Sequence, residues 1–124
     1  MYGIYINCHL FPFVAWILSG RKAYETRGRN MLRALIGQRV ALIETGKSPA
    51  PMVRGFATIA SAEQIDYSNI TARKAARILG TSFDILPGGT KWFYKLTDIQ
   101  TVEPLPVPDA RINHGRAWTE FVTT

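Results

Sequence analysis

The chain opens on alternation. From Tyr2 to Cys8 it is aromatic and β-branched, with Ile4 and Ile6 on one face and Tyr5 on the other, the period of a strand. Pro12 suits the first turn of a helix, where its missing N–H costs nothing. Phe11, Val14, Ala15 and Leu18 then recur at helical spacing while Phe13, Trp16 and Ile17 fill the other side, so this helix reads as apolar all round and fit to plug a barrel or sheet. Gly20 stands where a helix ends. Lys22 to Arg27 reads as a second strand and Gly28 to Arg33 as a loop. "RVALIE" (Arg39 to Glu44) has the apolar centre of a buried strand, "TGKSPAP" (Thr45 to Pro51) the composition of a loop, and "VRGFATIA" (Val53 to Ala60) returns, so the two strands are expected as a hairpin.

Asn69 is an N-cap for "ITARKAARIL", a helix expected to end at Gly80, to bury Ile70, Ile78 and Leu79, and to gather Arg73, Lys74 and Arg77 on one face. "PGG" (Pro87 to Gly89) turns the chain into "KWFYKLTDIQTVEPL", where Trp92, Tyr94 and Leu96 alternate with Phe93 and Lys95. The proline-spaced "PLPVP" (Pro104 to Pro108) predicts an extended strap over the barrel, because Trp118 and Phe121 follow it. Short strands outnumber helices in this order, which points to a small α+β barrel and away from a doubly wound parallel sheet.

At 124 residues the chain fits one domain, 1–124, with one sizeable core. Fifteen lysines and arginines against nine acidic residues give a net charge of +6, a balance that favours an anionic partner such as nucleic acid, although basic surface also serves solubility. A single cysteine, Cys8, excludes an internal disulfide, and a reducing cytoplasm is the expected setting. The apolar start lacks a basic leader region and is interrupted by Asn7, His9 and Pro12, so neither a signal peptide nor a membrane span is expected. No obligate protein partner is predicted.

Several chemistries are absent. "TGKS" lacks the glycine a phosphate-binding loop needs where Ala41 stands, and prolines 49 and 51 replace its helix. Adjacent Cys8 and His9 would point to opposite faces of a strand and cannot pair as nucleophile and base. Two histidines, His9 and His114, and one cysteine make no metal-ligand cluster, so neither metal nor other cofactor is predicted. His114, in "RINHGR", reads as part of a turn.

"GRKAYETR" (Gly20 to Arg27) presents Lys22, Glu25 and Arg27 directly behind the apolar helix. In a regular strand Glu25 and Arg27 share one face and Lys22 lies on the other, so the three converge only if the chain is still turning out of Gly20. Otherwise they form a surface pair worth ~0 to 1 kcal/mol with Lys22 in solvent.

The order G-x-K-x-x-E-x-R resembles the signature of the ASCH domain, a branch of the PUA-like superfamily. "GQRVALIETG" (Gly37 to Gly46), "VRGFATI" (Val53 to Ile59) and the late "WFYKLTDIQTVEPLPV" with Trp118 are similar to that family's following regions. The resemblance covers nearly the whole chain. It implies a β-barrel of about five to six strands flanked by two main helices, with a cleft beside the motif, and an association with RNA. It also implies two readings of the cleft. In the first it binds RNA, a nucleoside or a nucleotide: Arg21, Lys22, Arg27, Lys47 and Arg54 contact phosphates while Tyr24 or Trp92 stacks on a base. In the second it is a small hydrolase, an amidohydrolase acting on acetylcytidine or a ribonuclease, in which Glu25 polarises water and Lys22 stabilises an oxyanion. The acetylcytidine hydrolases resemble the chain at Lys22, but carry a threonine where Glu25 stands and a carboxylate near Ser68, with Asp66 and Glu63 close by.

Overall fold

The computed structural model describes residues 1–47, 51–66 and 90–122. Its elements are β1 (Tyr2–Asn7), α1 (Phe13–Leu18), β2 (Tyr24–Arg27), a single 3-10 turn (Arg33–Leu35), β3 (Arg39–Thr45), β4 (Met52–Asp66), β5 (Thr90–Pro106), β6 (Arg111–His114) and β7 (Trp118–Phe121). They form one seven-stranded sheet in the order β2-β5-β4-β3-β1-β7-β6. β1 and β3 run parallel, with Ile4 opposite Leu42, and every other pair is antiparallel.

The parallel pair at the centre explains why "RVALIE" carries no polar alternation. Val40 and Leu42 enter the main core with Ile4, Ile59 and Tyr94, while Ala41 and Ile43 enter a smaller cluster on the other face with Val53. A strand covered on both faces has no side left for polar residues. The expected hairpin of β3 and β4 is present, and β4 runs beyond Ala60 to Asp66 because β5 continues to pair with it.

Among the described residues the ladder runs from β2 to β6 as one seven-stranded sheet, and closure into the expected barrel of five to six strands is not shown by strand pairing. One short helix, α1, is seen; the second expected helix, with Arg73, Lys74 and Arg77, lies outside the described residues. α1 is also not buried all round. Val14 and Ile17 are buried and Ala15 is exposed, while Phe13 and Trp16 form a half-exposed aromatic group with Phe11. Gly55 lets the helix seat, because a Cβ there would lie 2.6 Å from Leu18 Cδ2 and run into the Gln100 carbonyl.

"PLPVP" is not a strap. Leu105 and Pro106 complete β5, paired with Val53 and Met52, and a proline is tolerated at a strand's end because no further ladder donor is needed there. The C-terminal strands β6 and β7 follow it, and β7 docks on β1. No helix among the described residues is long and apolar enough to cross a membrane.

Candidate functional site

β1 is laddered to β3 along its whole length, but to β7 only from Tyr2 to Ile4. Past that point its second edge opens. The Tyr5 N–H donates to the Ala117 carbonyl at 3.0 Å, and the Tyr5 carbonyl accepts from Arg27 Nη2 at 2.7 Å. β2, at the far end of the sheet, is thereby drawn to β1 through a side chain. A cleft of about 450 Å³ lies at this seam, walled by Tyr5, Ile6 and Asn7 of β1, Phe13 of α1, Glu25, Thr26 and Arg27 of β2, and Thr45 and Arg116.

Strand register sets which motif side chains face inward. Glu25 stands opposite Tyr94 and Arg27 opposite Trp92, a row that shares the main core's face; Tyr24 and Thr26 take the other face. Glu25 is 5% exposed. Its Oε1 accepts from the Thr26 N–H at 2.9 Å, and Oε2 lies 3.6 Å from Arg27 Nη2 but has no hydrogen-bond partner among the described residues. Arg27 is also in contact with Met31 Sδ at 3.8 Å.

Lys22 precedes β2. Its N–H still donates to the Trp16 carbonyl at 3.0 Å, so the chain is turning off the helix at this point. The side chain is 3% exposed with Nζ 5.2 Å from the Phe13 ring centroid, which rules out the alternative of a lysine left in solvent. Lys22 is not in the cleft wall; Phe13, the ring it approaches, is.

The remaining expected site residues are dispersed. Arg21 lies over the Trp16 ring at 4.1 Å. Lys47 and Arg54 line a separate pocket of about 300 Å³ with Glu44, 3.4 Å from Arg54, on the side of α1 that bears Val14, Ala15 and Leu18. Tyr24 packs 6.1 Å from Phe93, and Trp92 packs against the main core. Glu63, proposed near the hydrolase carboxylate, falls in the row with Phe93 and Thr26, on the face opposite Glu25; Ser68 lies outside the described residues.

Sequence reasoning missed Tyr5, Asn7, Thr45 and above all Arg116. Only "RINHGR" hinted at the last: Gly115, at φ +66°, turns β6 into β7 and carries Arg116 to the seam. It also missed the role of Tyr94, whose buried hydroxyl donates to Asn30 Oδ1 at 2.8 Å and accepts from the Leu32 N–H at 3.3 Å, fixing the loop after β2. Burial pushes its pKa up, partly offset by the Leu32 hydrogen bond and the Arg27 charge. Burial likewise raises the Cys8 thiol.

The chain superposes on solved structures. A single-substitution mutant of ZmASCH from Zymomonas mobilis superposes with a TM-score of 0.60 at 24% identity, over 83% of this chain and 74% of that one. The fold is that of an ASCH domain. A second structure, of ASCH from the same organism, gives a TM-score of 0.55 at 23% identity over 83% and 72%. No family model and no curated protein matches the sequence. Identities this low carry the ASCH fold alone, and the chemistry rests on the side chains described above.

Proposed function

We propose that this ASCH-fold domain binds RNA or a modified nucleoside in the cleft between β1 and β2. The carrying observation is Glu25: a carboxylate in the wall, buried, whose Oε2 has the Arg27 guanidinium 3.6 Å away but accepts no hydrogen bond among the described residues. A buried acceptor left unpaired is costly, and a ligand amino or hydroxyl group in the cleft would supply the missing hydrogen bond. Cytosine N4 and a ribose 2′-hydroxyl are donors of that kind. Arg116 adds an exposed cation for a phosphate.

The test is a titration of single-stranded RNA, duplex RNA and nucleosides at several salt concentrations, on the native protein and on Glu25→Gln. Binding that weakens with salt, and weakens ~10-fold or more in Glu25→Gln, supports the reading, since a charge-assisted hydrogen bond contributes about 1.5–3 kcal/mol. No binding at low salt overturns it.

The burial of Lys22 against Phe13 supports the hydrolase as a second reading, with Glu25 polarising water and Lys22 stabilising an oxyanion once a ligand displaces the Phe13 ring. Chromatography of acetylcytidine incubated with the protein decides it. Turnover lost in Lys22→Ala supports catalysis; no turnover at high protein concentration sinks it.

A further inference from the structure

Beside the cleft lies a second concavity of about 380 Å³, whose wall includes Arg27, Arg29, His114, Gly115 and Arg116. Arg27 and Arg116 belong to both walls, so the two hollows adjoin. The three guanidinium groups are not equivalent. Arg27 is committed to the Tyr5 carbonyl and to Glu25, and so holds the seam. Arg29 and Arg116 are exposed, and no carboxylate among the described residues pairs with either. Glu120, the acidic side chain on neighbouring β7, is directed to His114, 3.7 Å from its Nε2. His114 in turn stacks on Trp118 with ring centroids 3.9 Å apart and planes 8° from parallel, which fixes that wall.

A hollow that faces two guanidinium groups and, among the described residues, no carboxylate suits a phosphate, whose oxygens match the guanidinium fork. Its position matters as much as its charge. The acceptor Glu25 lines the first hollow, Arg29 the second, and Arg116 both, an arrangement that suits a nucleoside joined to a phosphate.

We infer that the concavity at Arg29 and Arg116 is a phosphate subsite, so that the ligand is a nucleotide or an RNA strand and not a free nucleoside. This rests on the reading of the adjoining cleft as a nucleoside site. Arg29 and Arg116 are its binding residues, and Arg27 positions the wall between the two hollows.

The experiment compares the four ribonucleosides with their 5′- and 3′-monophosphates at constant ionic strength, following amide signals by two-dimensional NMR. At least one monophosphate is expected to bind about tenfold tighter than its nucleoside, the scale of one hydrogen bond to a charged group, with shifts at Arg29, Gly115 and Arg116. In Arg29→Ala and in Arg116→Ala the nucleoside-to-nucleotide ratio of Kd is expected to fall toward one while the spectra remain those of a folded chain. Monophosphates that bind no tighter than nucleosides overturn the subsite and leave the cleft reading intact. A ratio unchanged in both variants overturns its location. If neither class of ligand binds, inorganic phosphate decides: shifts confined to Arg29, Gly115 and Arg116 keep the subsite and discard the nucleoside cleft, and no shifts there discard both.

Discussion

Replacing Tyr94 by phenylalanine tests whether the loop that carries Arg29 is held by one hydroxyl. The ring itself is fully buried and keeps its packing in the variant. What is lost is the acceptor for the Leu32 N–H at 3.3 Å and the donor to Asn30 Oδ1 at 2.8 Å. Leu32 is fully buried, so water cannot replace the missing partner of its N–H. Orphaning one buried donor costs about 1–3 kcal/mol, which for a chain of this length lowers Tm by roughly 4–12 °C. Thermal melting followed by circular dichroism gives the magnitude, and hydrogen exchange gives the location, because the Leu32 amide should lose protection selectively. Tyr24→Phe, whose hydroxyl has no partner among the described residues, is the control. A Tm within about 1 °C of the native protein together with an unchanged Leu32 exchange rate would show that the hydroxyl does not anchor the loop.

Arg27→Ala removes the donor to Tyr5 and the charge beside Glu25, and should lower stability by about 2–4 kcal/mol in urea unfolding. Adding Glu25→Gln should recover part of that loss, since the orphaned charge goes with it; a double variant no more stable than Arg27→Ala would refute the pairing. Gly55→Ala drives a Cβ into the Gln100 carbonyl and Leu18 and is expected to cost about 1–3 kcal/mol, whereas Gly28→Ala meets nothing and should be neutral; equal melting temperatures would contradict this. Raising the pH should destabilise the fold from about pH 9 upward. Cys8 and Tyr94 both have pKa values raised by burial, so in that window the unfolded chain has lost protons that the folded chain retains, and stability falls. Urea midpoints at pH 7 and pH 10 measure the slope, which Cys8→Ala and Tyr94→Phe should each flatten.

The central strands were legible because burial on both faces of β3 leaves an unbroken apolar run, and α1 because Pro12 and Gly20 punctuate it. β6 was not: "RINH" is mostly exposed, so no core face imposes a period on it. The extension of β4 past Ala60 was hidden for the same reason, "SAEQID" carrying little apolar pattern where only β5 holds it. In the site, the motif's spacing led to Glu25 and Arg27, and the turn at Gly20 accounts for Lys22 being buried and not solvated. The Arg27 partner is a backbone carbonyl, which no side-chain pattern can announce. Lys47 and Arg54 were grouped with the motif because both are basic and near β3, yet α1 comes between the two pockets.

The seam itself has a consequence for what the groove admits. Laddered strands stand ~4.8 Å apart, a spacing that leaves no room for a guest. Here β1 and β2 are joined by a guanidinium arm in place of a ladder, so the interruption in the sheet is the volume of the groove. The width of the opening is therefore governed by one side chain with several rotatable bonds. A bulkier guest is accommodated by swinging the arm of Arg27 at the expense of its hydrogen bond to Tyr5 and its ion pair with Glu25, with every strand pairing intact, and a shorter residue at position 27 resets the bore of the groove without redrawing the fold.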